Sequence, residues 1–254
     1  ALPIFRGKKI NTVKKKILIF TATYNELKNL KLYFDEIYKI NIDFDLLVID
    51  DNSPDLTWKK LKEFQKKYKN LKVIIREKKL GLDTAHKKAF FYAKEKKYDY
   101  LITMDIDSHE PKSIIEIIKE LDNGYDFVIG SRYMENGKCD YVGYRNFISR
   151  FGNKLIKKVL NINLDEFTTS YRGFNLQGLK NFDLNVMKFK GYSFLMEAVF
   201  RIHIMGYQMK QIPIHFRERK FHKSKMARIE LFRALINLFI LFVEKNLTFH
   251  TQNH

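Results

Sequence analysis

Three features of the sequence predict an α/β fold with a mostly parallel central sheet and helices on both faces. Short apolar runs alternate with stretches of roughly 10–15 residues at helical spacing, the pattern of βαβ units. Two of those runs stop abruptly in carboxylates, at Asp50-Asp51 and at Asp105-Ile-Asp107. Right-handed crossovers put the ends of such strands along one edge, where open α/β sheets bind their ligands.

Residues 1–15 form a basic leader, and the main domain is expected over 16–226. A first strand runs from Lys16 to Ala22, followed by a helix from Glu26 to Ile40 with Leu27, Leu30, Phe34 and Ile37 on one face. The second strand is Asp45 to Asp50. Ser53 before Pro54 reads as an N-cap with proline at the first helical position, opening a helix with Trp58, Leu61, Phe64 and Tyr68 inward. The third strand covers Leu71 to Arg76, Gly81 to Thr84 opens a helix to about Lys96, and a fourth strand delivers Asp105. Helix Pro111–Leu121 and strand Asp126–Gly130 continue the alternation.

The second half is less regular. A basic amphipathic helix is expected from Arg145 to Leu160 with Phe151, Leu155 and Val159 on one face. A helix from Ser193 to Met205 precedes a strand from Gln208 to Phe216 and a basic loop through Arg217, Arg219, Lys220, Lys223 and Lys225. Residues 227–254 are read as a C-terminal amphipathic helix and tail.

Four of the six residues from Tyr100 to Asp105 are apolar, so two acids one residue apart end a buried run. Asp-x-Asp also occurs in ordinary solvated turns; the second acidic strand end, at Asp50-Asp51, is what favours a site. Oxygen ligands of this kind suit Mg²⁺ or Mn²⁺, ions held by one or two carboxylates plus substrate phosphates. No Gly-x-Gly-x-x-Gly follows the first strand and no P-loop pattern occurs, which disfavours a dinucleotide dehydrogenase and a P-loop enzyme. With those motifs absent, a nucleotide held by acids and a metal is the reading that remains.

The 254 residues carry 47 Lys plus Arg against 29 acids, a net charge of +18, which calls for a polyanionic partner. No nucleic-acid recognition pattern accompanies that charge, and paired acids at two strand ends would repel a nucleic acid. A non-catalytic RNA-binding module therefore explains the charge but not the acids. Cys139, the single cysteine, forms no internal disulfide and fits a reducing compartment. The first residues lack a long apolar segment, so no secretory signal is expected. The longest apolar stretch, Leu238 to Val243, is far short of the roughly 20 residues of a spanning helix.

A series of short motifs resembles the family 2, GT-A-fold glycosyltransferases, and within them the dolichyl or polyprenyl phosphate mannose synthases. Thr23-Tyr-Asn-Glu26 is similar to Pro-Thr-Tyr-Asn-Glu with Ala22 in place of proline, and Asp50 to Thr57 to Asp-Asp-Asn-Ser-Pro-Asp-Gly-Thr. Gly81 to Ala85, Met104 to Asp107 with Ser108-His-Glu-Pro111, and Ile129 to Tyr133 follow in family order. Arg145 with Ser149, Thr168-Thr-Ser-Tyr-Arg172 against Thr-Ser-Gly-Phe-Arg, Gly191 to Phe194 with Glu197, Ile212 to Phe216 with Arg219, and Ser224 to Met226 close the series. The chain departs from the pattern in a segment after Asp107 that is one residue shorter, which leaves His109 as a candidate third metal ligand. It departs again at His222, where glycine commonly precedes Ser-Lys.

The resemblance implies inverting transfer of a sugar, mannose from GDP-mannose by closest likeness, from a nucleotide diphosphate sugar to polyprenyl or dolichyl phosphate. Asp105 and Asp107 would hold the metal. Thr23, Tyr24, Glu26, Asp51 and Asp105 would line the donor pocket. Arg132, Arg145, Ser149 and Arg219 would hold the acceptor phosphate, with Asp105, Asp107, Arg132 and Arg219 carrying the reaction. Another sugar, from UDP-glucose or UDP-GlcNAc, or a polysaccharide or other lipid acceptor, is the alternative. The C-terminal helix adds a location: Glu230, Arg233, Asn237 and Glu244 make a narrow polar stripe on a cylinder of Leu, Ile, Phe and Val. Such a helix either lies in an anionic membrane surface or on a membrane protein partner, or packs between the sheet and the Arg145–Leu160 helix. The first option makes the protein cytoplasmic and peripheral on the cytoplasmic face of a membrane.

Overall fold

The computed structural model describes residues 15–218 and 228–252. Its main sheet has seven strands: β1 (Ile17–Thr23), β2 (Asp45–Asp50), β3 (Leu71–Ile75), β4 (Tyr100–Thr103), β5 (Phe127–Ser131), β7 (Arg172–Asn175) and β8 (Met209–Pro213), in the order β3-β2-β1-β4-β7-β5-β8. A short β6 (Lys138–Cys139) pairs in parallel with β9 (His215–Phe216) beside it. Strand β1 lies parallel to β2 and β4, β2 to β3, and β5 to β8. Only β7 runs antiparallel, between β4 and β5.

The period-two alternation of each strand divides the core into two layers. On one face Ile17, Ile19, Leu46, Val48 and Ile102 pack under helices α1 (Leu27–Ile37), α2 (Thr57–Lys67) and α4 (Ile114–Asp122). On the other, Leu18, Phe20, Leu47, Ile49 and Leu101 meet α3 (Leu82–Glu95), α5 (Tyr144–Leu160), α6 (Gly191–Ile204) and α7 (Arg228–Gln252). Every side chain of β1 except the partly buried Ala22 is buried, as continuous apolar runs in parallel sheets require.

Four expectations are corrected. Helix α2 starts at Thr57 and not after Ser53, because the Ser53 hydroxyl is committed to Asp50 (2.6 Å) and accepts from the Asn25 N–H (3.0 Å). Asp55 takes over the capping role, accepting from the Thr57 N–H at 3.0 Å. The single strand expected over Gln208–Phe216 divides at Ile214: after Pro213, which has no N–H to give the ladder, the chain leaves β5 and joins β6. Strand β7 was not anticipated, since Arg172-Gly-Phe-Asn175 has neither the length nor the alternation of a strand. Helix α5 buries Asn153, Ile156 and Leu160, and Phe151 is exposed, because Asn153 ties the Ser149 carbonyl (2.9 Å) and the Phe167 N–H (2.8 Å) beneath it.

Helix α7 packs against α5 and α6 through Leu238 and Leu241. Its polar stripe is partly turned inward: Glu244 pairs with Arg201 on α6, and Lys245 donates to the Val159 carbonyl at 3.3 Å. The apolar residues it leaves outward include Phe232 and Phe239, 64% and 66% exposed.

Helix α4 lies so close to β7 that a Cβ added at Gly173 would sit 2.3 Å from Ile117 Cγ2. Gly173→Ala is therefore expected to lower the urea-unfolding free energy by roughly 1–3 kcal/mol, the usual cost of overpacking a core. Gly152→Ala, on a helix with open space around the added carbon, should instead be neutral or slightly stabilising.

Candidate active site

The carboxyl ends of β1, β2 and β4 open on one cavity of about 610 Å³, lined at this rim by Tyr24, Glu26, Asp51, Asp105 and Asp107. The convergence expected from handedness is present. The two acids that end β2 have different fates. Asp50 is fully buried and closes the β1–β2 turn, accepting from the Thr23 hydroxyl (2.7 Å), the Ser53 N–H (2.9 Å) and the Ser53 hydroxyl (2.6 Å). Asp51 faces the cavity, but one oxygen is paired with Arg76 and the other accepts from the Leu80 and Gly81 N–H groups at 3.1 and 3.2 Å. Its first task is to hold the turn after β3 against the pocket. Thr23 lines the cavity with Tyr24 and Glu26, its hydroxyl donating to Asp50 and Glu26 accepting from the Asn29 amide at 2.6 Å.

Arg76 and Lys79 were missed by the sequence reading. Arg76 donates to Asp51, to the Thr84 hydroxyl (2.6 Å) and to the Gly81 carbonyl (3.0 Å). The Lys79 ammonium lies 4.0 Å over the Tyr24 ring, within cation–π range. The strand-end rule that singled out Asp51 would have found Arg76, which directly follows β3.

At the centre of the rim, Asp105 and Asp107 are both half-buried and face the cavity. Asp105 Oδ1 accepts from the Ser170 hydroxyl at 2.5 Å, and Asp107 Oδ1 from the Ser108 hydroxyl at 2.9 Å. His109, the candidate third metal ligand, has both ring nitrogens engaged by protein partners. The Asp105 N–H donates to its Nδ1 at 2.8 Å, so that nitrogen holds the lone pair and Nε2 carries the proton, 3.2 Å from the Thr169 hydroxyl. The ring is buried and stacked on Tyr171 with centroids 4.8 Å apart. Its place in the site is to support the Asp105 backbone. Among the described residues no cluster of three or more His, Cys, Asp or Glu side chains could hold a metal. Two carboxylates in an open cavity nonetheless fit a hard divalent cation that takes its other ligands from substrate phosphates and water.

Toward the far end, Arg132 projects from the end of β5. Its Nε and Nη2 make a bidentate pair with Glu166 at 2.7 and 2.9 Å, and Nη2 also reaches the Thr168 hydroxyl at 3.2 Å. The guanidinium lies against the Phe216 and Tyr133 rings, 4.7 and 4.9 Å from their centroids. Glu166, another residue the sequence reading missed, is fully buried. Burial alone would push its carboxyl up, but the charge and hydrogen bonds of Arg132 outweigh that and hold it below the usual range. Arg145 and Ser149 line the same end of the cavity, Arg145 exposed and Ser149 half-buried. Arg219 lies outside the described residues. Beyond these groups the cavity turns apolar, walled by Phe151 and Leu155 of α5, Leu195 and Met196 of α6, and Leu235 and Leu238 of α7.

A sheet of this topology with acids at that rim is the GT-A scaffold of nucleotide-sugar transferases. Two solved structures share it: the mannosyltransferase PcManGT from Pyrobaculum calidifontis in complex with GDP-Man and Mn²⁺ (TM-score 0.62, 17% identity, 92% of this chain and 65% of that one) and glucosyl-3-phosphoglycerate synthase from Mycobacterium tuberculosis with Mg²⁺ and UDP (TM-score 0.66, 14% identity, 89% and 79%). Residues 18–182 match the model of glycosyl transferase family 2, and the chain belongs to that family. It is a glycosyltransferase. Its similar relatives include an undecaprenyl-phosphate mannosyltransferase of Micrococcus luteus, 32% identical over 225 residues (88% of this chain, 92% of that protein). A polyprenol monophosphomannose synthase of Mycolicibacterium smegmatis is 29% identical over 227 residues (88% and 86%).

Because Glu166 is favoured in its charged form by the fold, its contribution to stability is full above the ordinary carboxylate pKa and fades as pH falls below about 4.3. Glu166→Gln strands the Arg132 charge and is expected to cost roughly 3–5 kcal/mol at pH 7. In urea unfolding the gap between wild type and variant should narrow steadily as the pH is lowered from 5 toward 3.

Proposed function

We propose that the enzyme transfers mannose from GDP-mannose to the phosphate of a polyprenol, with inversion at the sugar carbon, using Mg²⁺ or Mn²⁺. The observation that carries this reading is the shape of one continuous cavity, which runs from acids at the strand ends, past Arg132 and Arg145, into an apolar trench between α5, α6 and α7. An acceptor with an anionic head and a long hydrocarbon tail matches both parts. A polysaccharide would leave the trench wet and apolar, against the hydrophobic effect. The names of the relatives from Micrococcus and Mycolicibacterium support the same acceptor and sugar.

The chemistry follows from the charges. A phosphate monoester has its second pKa near 6 and is mostly a dianion at neutral pH, so its oxygen attacks the sugar carbon without a general base. The new bond between that phosphate oxygen and the sugar carbon forms as the bond from the sugar carbon to the diphosphate oxygen breaks, and the electron pair leaves on the diphosphate. Asp105 and Asp107 would hold the divalent cation, which would supply neutralisation of the charge on that leaving group. The protein's own task is to bring one anion to another. Arg132, held rigid by Glu166, offers its remaining N–H donors; Ser149 offers a hydroxyl, and Arg145 a charge at the entrance. The turn held by Asp51 and Arg76, with Tyr24 and Lys79, encloses the nucleoside.

The same reading puts the enzyme at the cytoplasmic face of an anionic membrane. Among the described residues no helix is long and apolar enough to cross a bilayer. The outward apolar face of α7, with Phe147 and Phe151 of α5 exposed next to the trench mouth, suits a helix lying in the interface. The basic surplus adds attraction to anionic lipid.

Asp105→Ala and Asp107→Ala should each abolish transfer of radiolabelled mannose from GDP-mannose into chloroform-extractable lipid while leaving circular dichroism unchanged, and a chelator should silence the wild type. Full activity in excess chelator, or labelling from UDP-glucose alone, would refute the metal or the sugar respectively. The double variant Phe232→Ser, Phe239→Ser should lose most cosedimentation with phosphatidylglycerol vesicles at unchanged GDP affinity. Undiminished sedimentation would remove α7 from the membrane contact.

A further inference from the structure

Asp105 is gripped from two sides by one stretch of chain that is remote in sequence. The Ser170 hydroxyl donates to Asp105 Oδ1 at 2.5 Å. Ser170 is itself fixed, 4% exposed, with its carbonyl accepting from the Thr103 hydroxyl at 2.5 Å at the end of β4. Next to it, Thr169 bonds His109 Nε2 at 3.2 Å, and His109 Nδ1 accepts the Asp105 N–H at 2.8 Å. The backbone and the carboxylate of Asp105 are thus both referenced to residues 169–170. A carboxylate turns easily about its last side-chain bond, a broad two-fold rotor. A donor locked on Oδ1 restrains that rotation and sets the direction in which the carboxylate meets the cavity. Ser170 also stands where the motif it resembles, Thr-Ser-Gly-Phe-Arg, has glycine, so this hydroxyl is a feature of the present chain.

We propose that Ser170 is a positioning residue for Asp105: its hydroxyl fixes the rotation of the carboxylate and thereby sets the affinity of the site for a divalent cation. This rests on the reading of Asp105 and Asp107 as the metal site. Ligating carboxylates are commonly oriented by such partners, whose removal weakens metal binding about 10–100-fold. His109 cooperates as a neutral ring that accepts the backbone N–H, while Ser170 acts on the side chain directly.

The test is a titration of Mn²⁺ into the full-length protein with GDP present, following free Mn²⁺ by electron paramagnetic resonance, with GDP affinity measured separately in chelator. Wild type, Ser170→Ala, Ser170→Thr and Asp105→Asn are compared. The expected result is Mn²⁺ affinity lowered about tenfold in Ser170→Ala, restored to within a few-fold of wild type in Ser170→Thr, and lost in Asp105→Asn. GDP affinity in chelator should be the same in wild type, Ser170→Ala and Ser170→Thr. Wild-type Mn²⁺ affinity in Ser170→Ala overturns the proposal, as does an equal loss of chelator-insensitive GDP binding, which marks a structural role. If wild-type protein shows no Mn²⁺ binding that Asp105→Asn removes, the metal reading itself fails and the proposal falls with it.

Discussion

The guanidinium of Arg172 is the interaction on which the site depends. It is 1% exposed and donates to three backbone carbonyls, those of Thr169 (2.7 Å), Phe167 (2.8 Å) and Leu195 (2.9 Å). Taking a cation out of water is costly, and burial pulls its pKa down to about 9, while the charge of Glu166 pushes the other way. In return the irregular segment before β7 has its carbonyls satisfied and its shape fixed, which a buried loop without partners could not manage. That segment carries Glu166, which holds Arg132, Thr169, which holds His109, and Ser170, which holds Asp105.

The reversed strand β7 explains how one segment can serve both ends of the cavity. In a purely parallel sheet the chain arrives at the carboxyl edge only at strand ends. Strand β7 runs the other way, so its entrance lies on that same edge, wedged between the ends of β4 and β5. Glu166, Thr169 and Ser170 therefore approach Arg132 and Asp105 from within the sheet, where packing against α4 at Gly173 leaves little room to shift. Preorganisation of this kind matters for a reaction that brings two anions together, since dipoles and charges fixed beforehand need no reorganisation as charge moves.

Helix α7 shows a related economy. Glu244 and Lys245 are turned toward α6 and α5, and Leu235 and Leu238 wall the trench, so the helix is at once a wall of the cavity and an outward apolar surface. An enzyme handling an amphiphile can use that arrangement to extend its trench to the surface on which the substrate's tail lies.

The sequence by itself determined the alternation of strands and helices, the continuous apolar runs of β1 and β2 and the acids that stop them, because these are local patterns that follow from period two, period 3.6 and strand length. It also marked Tyr24, Glu26, Asp51, Asp105, Asp107, Arg132, Arg145 and Ser149, all of which line one cavity. Only the tertiary structure decided which of them are free to meet a ligand. That Asp51 is engaged by Arg76 and Arg132 by Glu166 depends on partners 25 and 34 residues away whose meeting is set by sheet order and not by spacing. The start of α2, the outward turn of Phe151 and the existence of β7 were illegible for the same reason. Each is fixed by a hydrogen bond or a close contact with a distant segment, and that outweighs the weak local preference the sequence displays.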